Sequence, residues 1–79
     1  MSLASQLDRY LAVRRSLGYD LRTSERVLRR FIRFADDAGA QHIDADLFLR
    51  WDASQPAAGS STRSARLGMV RLFALWFSS

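Results

Sequence analysis

Seventy-nine residues at 9.0 kDa, 48% of them hydrophobic and 25% charged, with one proline and no cysteine, describe one globular domain without a disulfide or zinc-thiolate staple. At about this size a single core supplies only a few kcal/mol, so helix packing has to hold the chain together. The charge is carried by twelve arginines against eight acids, with no lysine, for a net +4 and a pI near 11.0. That balance points to a polyanion, nucleic acid first, although a G- and C-rich genome also favours arginine codons.

Other classes are excluded at the same level. The longest apolar stretch, Leu72 to Phe77, is six residues, where a membrane span needs about twenty. With no basic-then-apolar leader pattern either, the expectation is a cytoplasmic protein without a membrane partner. His42 is the one histidine, so no metal site is expected, and no glycine-rich phosphate loop suggests a nucleotide cofactor.

Four helical segments are predicted in chain order, and β-branched residues are too sparse for a sheet. The first, about Leu3 to Leu17, sets Leu3, Leu7, Tyr10, Leu11 and Leu17 at helical spacing, with Gly18 as its C-terminal stop. Asp20 is the expected cap of a second helix reaching about Ala38, whose apolar face holds Val27, Leu28, Phe31, Ile32, Phe34 and Ala35 before Gly39 ends it. Asp44 is the candidate cap of the third, with Leu47, Phe48 and Trp51 inward and Gln55-Pro56 as its end. After a loop from Ser54 to Ser61, a fourth helix begins near Ser61 or Thr62. It places Ala65, Met69, Leu72, Phe73 and Trp76 on one side and runs to the C-terminus with no stop signal, as a truncated helix would. Trp76 and Phe77 stand open between core and a docking surface for a partner or a second domain.

Charge is uneven over these segments. Residues 21–40 hold five Arg against three acids, and residues 61–79 hold three Arg and no acid. On a helical wheel Arg22, Arg26, Arg29, Arg30 and Arg33 fall within about 100° of arc, opposite the apolar stripe. A solvated face normally mixes signs. Here Arg22/Arg26, Arg26/Arg29, Arg26/Arg30 and Arg29/Arg33 are like-charge neighbours, each costing about 0.2–0.5 kcal/mol. Phosphates would relieve that repulsion, because each guanidinium forks two hydrogen bonds onto phosphate or onto guanine. The fourth helix adds Thr62, Arg63, Arg66 and Arg71. Thr62, beside Ser60 and Ser61, is either an ordinary first-turn residue or a phosphate contact at the helix N-terminus. His42 reads as a surface or packing residue rather than a catalyst.

With the segments placed, the sequence resembles the N-terminal core-binding domain, a SAM-like helical domain, of tyrosine recombinases and phage-type integrases. The likeness is carried by Tyr10-Leu11, Arg14-Arg15, Leu17-Gly18-Tyr19, Arg22-Thr23, the Leu28/Phe31/Phe34 register ending at Gly39, and Ser61-Thr62 followed by Arg66-Leu67, Val70-Arg71 and Phe73. It spans nearly the whole chain. Val27 departs from a position the family often gives to an aromatic, and Asp36-Asp37 make the end of the second helix more acidic than the family pattern.

The resemblance implies an all-α, four-helix, orthogonal bundle forming one half of a clamp on double-stranded DNA, over residues 1–79 as a single domain. The other half would be the C-terminal catalytic domain of the same parent chain, and any oligomer would form on DNA. By resemblance the DNA contacts are Arg22, Thr23, Arg26, Arg29, Arg30 and Arg33 on the second helix and Thr62, Arg63, Arg66 and Arg71 on the fourth. Arg66 has a second reading as a buried structural arginine, since its wheel angle falls between Phe73 and Val70. The family's tyrosine nucleophile and catalytic arginines belong to the other domain, so this chain is expected to be non-catalytic, in support of DNA integration and recombination by its parent. The rival expectation, from the residues alone, is a small helical protein-interaction module whose arginine face meets an acidic partner.

Overall fold

Four α-helices make up the computed structural model, which describes residues 3–56 and 59–78: α1 Leu3–Ser16, α2 Arg22–Asp37, α3 Ala45–Ser54 and α4 Ser60–Ser78. No strand occurs among the described residues. Glycine punctuation ends the first two helices. Gly18 takes φ +91° and Gly39 φ +71°, a left-handed conformation that costs a residue with a Cβ about 1–2 kcal/mol. Around each the terminal carbonyls are closed the same way. Tyr19 N–H donates to the Arg14 carbonyl and Gly18 N–H to that of Arg15, while Ala40 N–H donates to Ala35 and Gly39 N–H to Asp36. This is the Schellman arrangement at both ends.

The helix starts differ from one another. Asp44 is extended at φ −134° and its carboxylate accepts from Leu47 N–H at 2.8 Å, a true N-cap for α3. Asp20 is one residue too early for that role. Leu21 occupies the cap position of α2 with no side-chain cap bond, and Asp20 accepts instead from Arg22 N–H at 3.2 Å. Leu21 is buried, so this entry to α2 is held by apolar packing rather than by a hydroxyl or carboxylate.

α2 and α4 each pack against the three other helices, whereas α1 and α3 are not neighbours. The two basic segments therefore form the central pair. Leu7 and Leu11 of α1, Leu28 and Phe31 of α2, Leu47 and Trp51 of α3, and Phe73 of α4 are fully buried between them. Burying each contributes about 1.5–3 kcal/mol relative to exposure. Rings order the centre: Phe31 meets Trp51 edge-on at 5.4 Å, and Tyr10 lies 5.3 Å from Phe73 and 5.6 Å from Trp76.

Three sequence expectations change in this packing. Leu17 is 69% exposed, beyond the end of α1, because the chain turns at Gly18 before its side chain reaches the core. On α4, Leu72 is 49% exposed and Ala65 is also outward, while Val70 is buried. The inward face of α4 is centred on Val70 and Phe73. Trp76 and Phe77 are half-buried and pack against the core, Phe77 lying 6.2 Å from Phe73. The exposed apolar residues near that end are Leu72 and Leu75.

Candidate nucleic-acid interface

The α2 arginines rise from a helix whose opposite face is anchored by Leu28, Phe31, Ile32 and Ala35, so the backbone fixes their direction away from the core. Their environments are unequal. Arg29 is held inside the molecule: its Nη2 donates to Asp8 Oδ1 of α1 at 2.8 Å and its Nε to Glu25 Oε2 at 3.0 Å. Glu25 also accepts from Arg15 Nη2 of α1. Those bonds, from Arg15 first and Arg29 second, hold the Glu25 carboxyl below its ordinary pKa, and the bond to Asp8 raises that of Arg29. The α2 face is therefore compensated in part from α1, which its sequence alone does not reveal.

Arg26, Arg30 and Arg33 remain. All three are exposed and make no ion pair among the described residues. Arg30 and Arg33 border two grooves. One lies against α1 and is lined also by Ala4, Leu7, Arg29, Ile32 and Asp36; the other lies against α3 and is lined also by Phe34, Asp37, Trp51 and Gln55. Arg22 and Thr23, at the uncapped start of α2, are exposed, and Arg22 is only loosely paired to Asp20 at 3.5 Å.

α4 lacks acids of its own, but α3 supplies one. Asp52 is buried, with Oδ2 accepting from Arg63 Nε at 2.8 Å and Oδ1 lying 3.6 Å from Arg66 Nη1. The Arg66 side chain is 16% exposed and its guanidinium sits 5.9 Å from the Trp51 ring centre. Arg66 is thus partly buried and held beside an acid of the neighbouring helix. Arg63 and Thr62 are exposed near the start of α4. Arg71 is exposed on the same side of the helix as Leu67 and Leu75, four residues away in either direction.

The C-terminal half of α3 thus lies between the two arginine sets. Trp51 and Gln55 face Arg30 and Arg33, while Asp52 binds Arg63 and Arg66. Arg71 makes no ion pair among the described residues. Sequence reasoning missed Asp52, for which the available signal was an acid four residues after Phe48, on the buried side of α3. It used Arg14 for the family likeness alone and gave it no structural role, yet its guanidinium stacks 4.5 Å from the Tyr19 ring centre and 5.7 Å from that of Tyr10. This contact fastens the α1–α2 turn to α1.

The described residues contain no group of three or more His or acidic side chains that could hold a metal ion. None of their helices is long and apolar enough to cross a membrane.

Comparison with known proteins places the chain beside a longer bacterial protein. The chain is 40% identical over 65 residues to the protein named "Putative integrase/recombinase y4rB" of Sinorhizobium fredii (strain NBRC 101917 / NGR234), a match covering 82% of this chain and 21% of that protein. The chain spans about a fifth of the length of the relative it matches. No family model matches the chain, and no solved structure does.

Proposed function

We propose that this chain is the DNA-gripping, core-binding domain of a tyrosine recombinase or integrase, with a SAM-like orthogonal arrangement of its four helices. The carrying observation is the row formed by Arg26, Arg30 and Arg33: three exposed guanidinium groups on one helix face, free of ion pairs among the described residues. A face of this kind suits the phosphates of double-stranded DNA, which supply most of the affinity in such interfaces. Similarity to a protein named as an integrase/recombinase supports the same reading.

In this proposal the α2 contacts are Arg22, Thr23, Arg26, Arg30 and Arg33, and the α4 contacts are Thr62, Arg63 and Arg71. Arg29 and Arg66 add to the positive field, but their intramolecular partners make them structural first. Strand cleavage is assigned to the catalytic domain of a longer parent chain acting in the cytoplasm. Tyr10 supports that division, since its ring is buried against Phe73 and Trp76 and is not presented as a nucleophile.

The test is charge reversal on α2. The Arg26→Glu, Arg30→Glu double variant should retain the helical circular dichroism of the parent and lose at least about tenfold in affinity for duplex DNA at low salt. Unchanged affinity would remove the basis of the proposal. Amide-shift mapping with the same duplex should move resonances of α2 and α4, and a silent spectrum would count equally against it.

A further inference from the structure

Asp52 is an unusual acid. Its side chain is 6% exposed, and Oδ1 makes no hydrogen bond among the described residues, although burial of a carboxylate is costly unless it is fully paired. Its two neighbours are treated differently. Arg66 is drawn inward, between the carboxylate and Trp51, whereas Arg63 keeps 59% of its side chain exposed.

How Asp52 holds Arg63 is the informative detail. A carboxylate meeting the end of a guanidinium would occupy both Nη groups, the edge that grips a phosphate. Here Asp52 accepts a hydrogen bond from Nε alone, and the Nη groups of Arg63 make none among the described residues. Four of the five guanidinium N–H donors are thereby left for a ligand.

We infer that Asp52 is a positioning residue for Arg63: it fixes the guanidinium by Nε from inside the bundle and presents the Nη fork outward to a DNA phosphate. The inference rests on the proposed DNA-binding function and deepens it. Anchored in this way, Arg63 has given up most of its rotamer freedom before DNA arrives, so less is lost on binding. Arg66 completes the device by setting a second cation beside the other carboxylate oxygen, with its own guanidinium against Trp51.

Removing Asp52 also deletes a negative charge, which by itself strengthens DNA binding, so a single substitution cannot isolate the positioning effect. A double-mutant cycle can. Affinity for a fluorescein-labelled duplex of mixed sequence is measured at low salt for the wild-type chain, D52N, R63M and D52N/R63M. The bare charge effect is common to both backgrounds and cancels. Asn replacement should be about three- to tenfold less favourable when Arg63 is present than in the R63M background. Equal effects in both backgrounds would overturn the inference, and so would a larger gain with Arg63 present, which would make Asp52 a competitor of phosphate.

If D52N loses its helical circular dichroism, R63K decides in its place. A lysine has one ammonium centre, which Asp52 would occupy, so R63K should bind duplex more nearly as R63M does than as the wild type does. Wild-type affinity in R63K would overturn the inference. Failure of the underlying reading looks different: the wild-type chain would not bind duplex, or R26E/R30E would bind unchanged, and this inference would fall with it.

Discussion

Arg29 of α2 donates to the Asp8 carboxylate of α1 at 2.8 Å, joining residues twenty-one positions apart in the chain. The pair splits the arginine face into an inward-tied member and the unpaired Arg26, Arg30 and Arg33. Both partners are about half exposed or more, with Arg29 at 46% and Asp8 at 63%, so the pair falls in the weak range of surface salt bridges.

Arg29→Gln is accordingly expected to cost about 0.5 kcal/mol of stability in urea unfolding. In duplex titrations at low salt it should weaken binding less than Arg30→Gln, which is expected to cost about threefold. A larger affinity loss at Arg29 than at Arg30 would contradict the division of roles.

Glu25 gives the pH dependence. Its carboxyl is held below the ordinary 4.5 by hydrogen bonds from Arg15 and then Arg29. A group with a depressed folded-state pKa stabilises the fold only while ionised. The contribution is complete above the unfolded value and is lost as pH falls through the lower folded value. The thermal midpoint should therefore decline on acidification below about pH 4.5, and Glu25→Gln should flatten that decline while lowering the plateau at neutral pH. Identical pH profiles for the two proteins would show that the Arg15–Glu25–Arg29 cluster is not coupled to folding.

Gly18 tests the turn. A Cβ built there meets nothing within 4 Å, so steric crowding contributes nothing and the φ of +91° alone sets the cost. Gly18→Ala is expected to destabilise by about 1 kcal/mol, and Gly18→Asn by less, because Asn tolerates the left-handed region better. Equal stability for Ala and Gly would mean that the turn relaxes to another backbone conformation.

Three helix ends were legible because they are local, Gly18 and Gly39 acting on carbonyls a few residues back and Asp44 on an amide three residues ahead, whereas the start of α2 was misplaced at Asp20 because buried Leu21 takes the cap position. The face of α4 was less so. Leu67, Met69, Val70, Leu72, Phe73, Leu75, Trp76 and Phe77 surround much of that helix, and only its packing against the other three helices selects Val70 and Phe73 over Leu72. The candidate arginines could be placed on their helices, but their partners Asp8 and Asp52 come from other helices, where no helical wheel reaches. Phe73→Ala should cost about 3–5 kcal/mol, enough to unfold so small a domain, whereas Leu72→Gln should stay within about 0.5 kcal/mol of the parent. Equal sensitivity at the two positions in urea unfolding would restore the wheel's choice.

The salt dependence of binding separates the outward arginines from those committed to the fold. Each phosphate neutralised on a duplex contributes about 0.9 to the slope of log affinity against log salt. Replacing Arg26, Arg30 or Arg33 singly by Gln should therefore lower the slope by about 0.9 per substitution, and the triple variant by nearly three times as much. Arg66 offers the contrast. With its side chain 16% exposed and its guanidinium set between Asp52 and Trp51, Arg66→Gln should leave the slope unchanged. Its cost should be stability instead, since the buried Asp52 carboxylate loses one of its two cationic neighbours. A slope that drops for Arg66→Gln as it does for Arg30→Gln would mean that Arg66 leaves Trp51 when DNA binds and joins the phosphate contacts.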